Sequence, residues 1–278
     1  MDQASMSKNS ERIPRSDRPL IEVQSVDLEY VRGSERTLAL KGTTFGVEKG
    51  EFTAIVGPSG CGKSSLMKLI TGLRRPTSGN VRVDSVDVQG PVAGVGMAFQ
   101  NPTLMPWRTT LNNLMLPFEI VPPHKSRLRS HKAEYLSTGE AILSSVGLGG
   151  LGDKYPWELS GGMQQRASLC RALIHQPRFV MLDEPFAALD AFTREELWGV
   201  VQSLWMDRHF SAVLITHDLR EAVYLADTVH VMSRRPGRIV ASRRVNLPRP
   251  RTIETTFSAP FIELVHELRD LITREQRA

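Results

Sequence analysis

The chain runs to 278 residues with a formal net charge of +5, 41% hydrophobic and 23% charged residues. That balance can fill a sizeable core and excludes a chain disordered throughout. No stretch approaches the roughly 20 apolar residues a bilayer demands, which excludes a spanning helix, and two cysteines, Cys61 and Cys170, exclude a disulfide framework and fit a reducing compartment.

Residues 1–19 mix charges with Ser and Asn and lack the apolar centre of a secretory signal, so a disordered polar tail is expected there. Residues 21–30 alternate apolar and polar in strand fashion, with one slip. The apolar run 52–56 reads as a strand, followed by a glycine-rich turn and a helix over 63–73. A turn at 75–79 then leads to a strand-like alternation over 80–88.

From residue 103 to 146 the strand signals stop and prolines cluster at Pro117, Pro122 and Pro123. Helical patterns take over, as in a subdomain inserted into an α/β core. Runs 179–182 and 212–215 are wholly apolar, as buried parallel strands are. Between them Leu197, Val200, Val201, Leu204 and Trp205 keep helical spacing and read as core. Strands alternating with helices predict a mostly parallel sheet covered on both faces, and a last helix is expected over 261–272.

Gly57, Pro58, Ser59, Gly60, Cys61, Gly62, Lys63 and Ser64 match the pattern G-x-x-x-x-G-K-[ST]. Its glycines let backbone N–H groups curl round phosphate oxygens, and the following helix offers them its positive end. Lys63 supplies a mobile cation and the Ser64 hydroxyl a Mg²⁺ ligand; Ser65 continues the cradle. By itself this says that a nucleotide binds, which kinases, GTPases and motors share.

Asp183 and Glu184 end the apolar run 179–182. Asp183 is suited to hold Mg²⁺, and Glu184 to orient or activate a water. Upstream, Leu159-Ser160-Gly161-Gly162-Met163-Gln164-Gln165-Arg166 opens a second helix, capped by Ser160 and reaching about residue 175. The chain therefore offers two anion-binding helix starts.

Taken in order, the phosphate loop, Gln100, the 159–166 segment, the acidic pair, Asp190 and His217 resemble the ABC transporter ATPases over about residues 21–251. The resemblance implies an α/β fold: a P-loop NTPase core with a mostly parallel sheet, N-terminal antiparallel strands and an inserted helical subdomain. It divides the chain into the tail 1–19, an ATPase domain 20–251 with its helical subdomain at about 103–175, and a helical extension 252–278.

It also implies roles. Tyr30 would stack on adenine, and Gln100 would contact metal or water. Ser160, Gly161 and Gly162, with Gln164 beside them, would close on ATP held by a second subunit. Asp190 would communicate across that dimer, and His217 would contact the γ-phosphate. Ala187 stands where the family more often has glycine or serine. ATP and Mg²⁺ are the cofactors implied.

Asn101-Pro102-Thr103-Leu104-Met105-Pro106-Trp107-Arg108 is either a locally buried connector or an apolar knuckle for a membrane partner. With Tyr155-Pro156-Trp157-Glu158 and Arg234-Arg235-Pro236-Gly237-Arg238-Ile239 it resembles the nitrate/sulfonate/taurine importer subfamily. That implies a peripheral subunit at the cytoplasmic face of the membrane. Its partners would be a permease, a second ATPase copy and, indirectly, a substrate-binding protein.

An export or lipid-handling motor is the alternative. A nucleic-acid-associated ATPase would need a long coiled-coil insertion or tandem motor domains, so no nucleic acid is expected. The late arginines 234, 235, 238, 243, 244, 249 and 251 read as a solvated basic face, with attraction to anionic lipid headgroups as the next reading.

Overall fold

The computed structural model describes residues 19–277, so all of the expected tail except Pro19 lies outside the described residues. Strand β1 (Ile21–Arg32) pairs antiparallel with β2 (Glu35–Val47). The slip in its alternation is a bulge: Ser25 takes φ 46° and the register shifts between Val23 and Val26. One added residue returns Val23, Val26 and Leu28 to the buried face.

The alternation over 80–88 is corrected from one strand to a hairpin. β4 (Ser78–Val83) runs antiparallel to β1 and turns back through Asp84 and Ser85 into β5 (Val86–Asp87). Both turn residues have positive φ, 55° and 64°, as a two-residue hairpin turn demands. An alternating pattern reads the same on either side of so short a reversal.

The second sheet contains β3 (Phe52–Val56), β6 (Val95–Phe99), β7 (Phe179–Asp183), β8 (Ser211–Thr216), β9 (Thr228–Met232) and β10 (Ile239–Arg244), in the order β10-β9-β3-β8-β7-β6. All neighbours are parallel except β10, antiparallel at the edge. Its central strands are mostly apolar because both faces are covered, with buried polar exceptions such as Thr53, Thr228 and His230. Val180, Leu182, Ala212 and Leu214 face one core, while Met181, Val213 and Ile215 face another shared with the antiparallel sheet.

Helix α1 (Lys63–Ile70) ends sooner than expected: Thr71 is its C-cap and Gly72 follows with φ 71°, leaving Leu73 exposed. The segment 103–146 is helical as expected, in α2 (Thr110–Ile120), α3 (His124–Arg127) and α4 (Lys132–Ser145). α2 packs against both α4 and α5 (Gly161–Leu173). The helical stripe of 197–205 lies in α6 (Ala191–Arg208), with Leu197, Val201 and Leu204 buried. After α7 (Leu219–Leu225), the last helix α8 (Ala259–Arg277) buries Phe261 and Leu268 in the same core.

The late arginines do not form one solvated face. Arg251 is 2% exposed and donates to the carbonyls of Val223, Tyr224 and Ala226. Arg249 pairs with Asp227 and lies over Trp205. Arg238, Arg243 and Arg244 pair with Glu275, Glu267 and Glu51. Charge alone cannot distinguish an arginine that meets water from one that ties loops together.

Candidate nucleotide site

The loop 57–62 joins the C-terminal end of β3 to α1, where a parallel strand delivers the chain to a helix start. Gly62 caps α1 with φ 112°, and a Cβ there would lie 2.8 Å from Leu40 Cδ2 and 2.9 Å from the Ala39 carbonyl. Only glycine fits that conformation and clearance. The first N–H groups of α1 have no acceptor within the helix, so the loop presents donors to a cleft.

That cleft, about 250 Å³, is lined by Ser59, Gly60, Gly62, Lys63, Ser64, Ser65 and Glu184. Lys63 is only 6% exposed, and its Nζ donates to the carbonyls of Gly57 (2.8 Å) and Pro58 (3.0 Å). The cation is thus held at the loop by weak neutral acceptors that a phosphate could replace. Burial pushes the Cys61 thiol up, which makes it a packing residue of the loop.

Asp183 ends β7, and Glu184 follows it into the cleft lining. Asp183 pairs in register with Phe99, so Gln100 emerges from β6 at the same level. Burial, and then the charge of Glu184, raise the Asp183 carboxyl, against the pull of Lys63. Glu184 takes φ 47° and donates its N–H to the Ile215 carbonyl at 2.8 Å. That contact fixes the backbone at a left-handed position unusual outside glycine. One of its carboxylate oxygens lies 3.2 Å from His217 Nδ1.

Tyr30 stands at the near edge: its hydroxyl is 3.1 Å from Ser65 Oγ, and the Arg74 guanidinium lies 4.3 Å from its ring centroid. Sequence reading missed Arg74, which lies between the expected helix 63–73 and the turn 75–79 and has no local sign that its side chain turns back over β1.

Ser160 caps α5 by accepting the Met163 N–H at 3.3 Å, as expected. Asp190 caps α6 in the same way through Thr193. The two helix starts adjoin, since a Cβ on Gly162 would reach within 2.6 Å of Thr193 Cγ2. Gln164 bonds back to the Leu159 carbonyl. Gln165, which sequence reading left without a role, is buried and donates to the Phe99 carbonyl at 2.9 Å, tethering α5 to the residue before Gln100. Its signal was its place in the 159–166 segment. Of the expected site residues beyond the loop, only Glu184 lines the cleft; Tyr30, Gln100, Asp183, Ser160, Gly161, Gly162, Gln164, Asp190 and His217 lie outside its lining.

The ABC transporter family model matches residues 40–187, which spans the phosphate loop, the 159–166 segment and the acidic pair. The chain belongs to the ABC transporter family. It is 40% identical over 233 residues to an uncharacterized ABC transporter ATP-binding protein of Methanocaldococcus jannaschii, covering 83% of this chain and 84% of that one. It is 39% identical to the aliphatic sulfonates import ATP-binding protein SsuB of Bacillus licheniformis, over 80% of this chain and 84% of the relative. It is also 39% identical to the nitrate import ATP-binding protein NrtD of a Synechocystis strain, over 82% and 83%. Among solved structures it resembles a dimeric ATP-binding cassette in a post-hydrolysis state bound to ADP and Pi. The TM-score is 0.68 and the identity 26%, over 82% of this chain and all of that one.

The donors fit Mg²⁺ in this ABC chain. Ser64 offers a hydroxyl on the cleft wall, and Asp183 offers a carboxyl whose ionisation is opposed by burial and by Glu184. A divalent cation would relieve both.

Proposed function

We propose that this chain is the ATP-hydrolysing subunit of an ABC importer for small anions of the nitrate, sulfonate or taurine type. It would energise a separate permease from the cytoplasmic face of the membrane, as one of a pair of identical copies. No helix among the described residues is long and apolar enough to cross a membrane, so the pathway would belong to a partner. The sulfonate and nitrate import relatives support the cargo class over an export motor.

The observation that carries the reading is the division of the site. The cleft contains the lysine loop and Glu184, while Ser160 and Gly161 are exposed and outside it. Ser160 and Gly161, exposed at the start of α5, are free to cover a triphosphate held on the loop of a second copy together with Gly162, and the dimeric form of the similar cassette supports that pairing.

In this reading Tyr30 stacks on adenine, while the loop N–H groups and Lys63 hold the phosphates. Ser64, Gln100 and Asp183 would hold Mg²⁺, which when bound supplies charge neutralisation on the phosphates. Glu184 orients the attacking water, and His217 moves from Glu184 toward the γ-phosphate. Asp190, beside the Ser160 helix start, relays closure between copies. Loss of the shared phosphate removes the contact that favours the closed pair. Residues 20–251 would form the ATPase domain, about 103–175 its helical subdomain, and 252–278 an extension.

Exposed aromatics support a permease-facing patch: Trp107 is 72% exposed, and Tyr155 and Trp157 stack at 4.5 Å on the surface. Leu104 and Met105 are half-buried, so the 101–108 segment is part connector and part knuckle.

Complementation tests the pairing. Ser160→Arg and Lys63→Ala subunits are each expected to be inactive alone. Mixed, they should regain partial ATPase activity, because each heterodimer has one intact composite site. Confirmed heterodimers without recovery would sink the reading.

A further inference from the structure

Seven arginines crowd residues 234–251, and five have partners: Arg238, Arg243, Arg244 and Arg249 in ion pairs, and Arg251 among buried carbonyls. Arg234 and Arg235 form no ion pair among the described residues, and both are exposed. They flank a cleft of about 320 Å³ whose lining also includes Lys41, Ser233, Arg238 and Glu275. Lys41 likewise forms no ion pair among the described residues. The one carboxylate among its described lining residues, on Glu275, lies 3.9 Å from Arg238.

The turn carrying these arginines is built rigidly. Ser233 Oγ donates to the carbonyls of Arg234 (2.8 Å) and Pro236 (3.2 Å) and accepts the Arg238 N–H at 3.1 Å. Gly237 is fixed on β2: its N–H donates to the Ala39 carbonyl, and its carbonyl accepts from the Lys41 N–H and the Thr43 hydroxyl. A Cβ on Gly237 would lie 2.2 Å from the Cys61 carbonyl, so the turn backs directly onto the phosphate loop. Yet the cleft shares no lining residue with the nucleotide cleft.

We propose that Lys41, Arg234, Arg235 and Arg238 form a second anion site, for a phosphate-type oxyanion, behind the phosphate loop. Guanidinium forks pair bidentately with tetrahedral oxyanions, and a preformed turn loses little freedom on binding one. A free phosphate group and an anionic lipid headgroup present the same chemistry. The site is independent of how the nucleotide is hydrolysed.

The test uses the full chain carrying Lys63→Ala, which weakens the phosphate loop as a competing site. Inorganic phosphate is titrated at constant ionic strength, with thermal stabilisation as the readout. Adding Arg234→Ala and Arg235→Ala should weaken phosphate binding at least about tenfold, the scale of losing charged hydrogen bonds. Neither side chain makes a hydrogen bond among the described residues, so the fold should survive, as circular dichroism can verify. In parallel, flotation of the wild-type chain on phosphatidylglycerol and phosphatidylcholine vesicles identifies the source. Arginine-dependent capture by phosphatidylglycerol alone assigns a headgroup, and arginine-dependent stabilisation by phosphate without capture assigns a soluble anion. Phosphate and vesicle binding that are both absent, or both unchanged by the two substitutions, would overturn the proposal.

Discussion

His217 Nδ1 lies 3.2 Å from a Glu184 carboxylate oxygen, bringing together the residues that follow adjacent parallel strands β8 and β7. In the proposed mechanism this pair would part as a γ-phosphate enters, freeing the carboxylate to orient water.

Glu184→Gln removes the proposed base while keeping shape and backbone contact. It is expected to retain Mg-ATP binding and to lose at least about two orders of magnitude in turnover, the scale of general-base loss. Single-turnover hydrolysis beside a nucleotide-binding titration would decide. Near-normal hydrolysis would remove Glu184 from the chemistry.

Gly237→Ala places a methyl 2.2 Å from the Cys61 carbonyl, where backbone must yield. The expected cost is about 1–3 kcal/mol of stability, as for overpacking, together with weaker nucleotide binding because the phosphate loop is pushed. Denaturant unfolding and a nucleotide titration measure the two. Unchanged values for both would mean that the turn and loop move independently.

Arg251→Met removes the donors to the carbonyls of Val223, Tyr224 and Ala226. Leaving buried acceptors unpaired should cost about 3 kcal/mol or more, read as a lowered urea midpoint. A loss below about 0.5 kcal/mol, the level of ordinary surface changes, would contradict the buried role.

Burial lowers the imidazole of His175 from 6.5 to about 4, with a smaller push from His124, and burial likewise lowers that of His230 to about 4. Below 6.5 the unfolded chain takes up protons that the folded chain refuses until about pH 4. Stability should therefore be fully present above 6.5 and fall as pH drops toward 4, by up to about 3 kcal/mol per histidine. Unfolding titrations across that window should show His175→Phe with a shallower slope than wild type. An equal slope would remove His175 as a source.

Arrangements made by consecutive residues were legible from the chain. A phosphate is gripped by one turn and the helix after it, so residues 57–64 state their chemistry locally, and Ser160 and Asp190 each cap their own helix. Strands buried on both faces declare themselves as wholly apolar runs, as 179–182 and 212–215 do. The hairpin within 78–87 was not legible, because alternation survives a tight reversal.

Sequence alone therefore determined the family of chemistry, the two helix starts and the acidic pair. Only the tertiary structure decided that Gln165 holds the end of β6, that Arg74 covers Tyr30, and which late arginines are buried, paired or left facing a cleft. The reason is physical: a backbone cradle is written in neighbouring residues, whereas the fate of a long side chain depends on which distant carbonyls and carboxylates the fold carries to it.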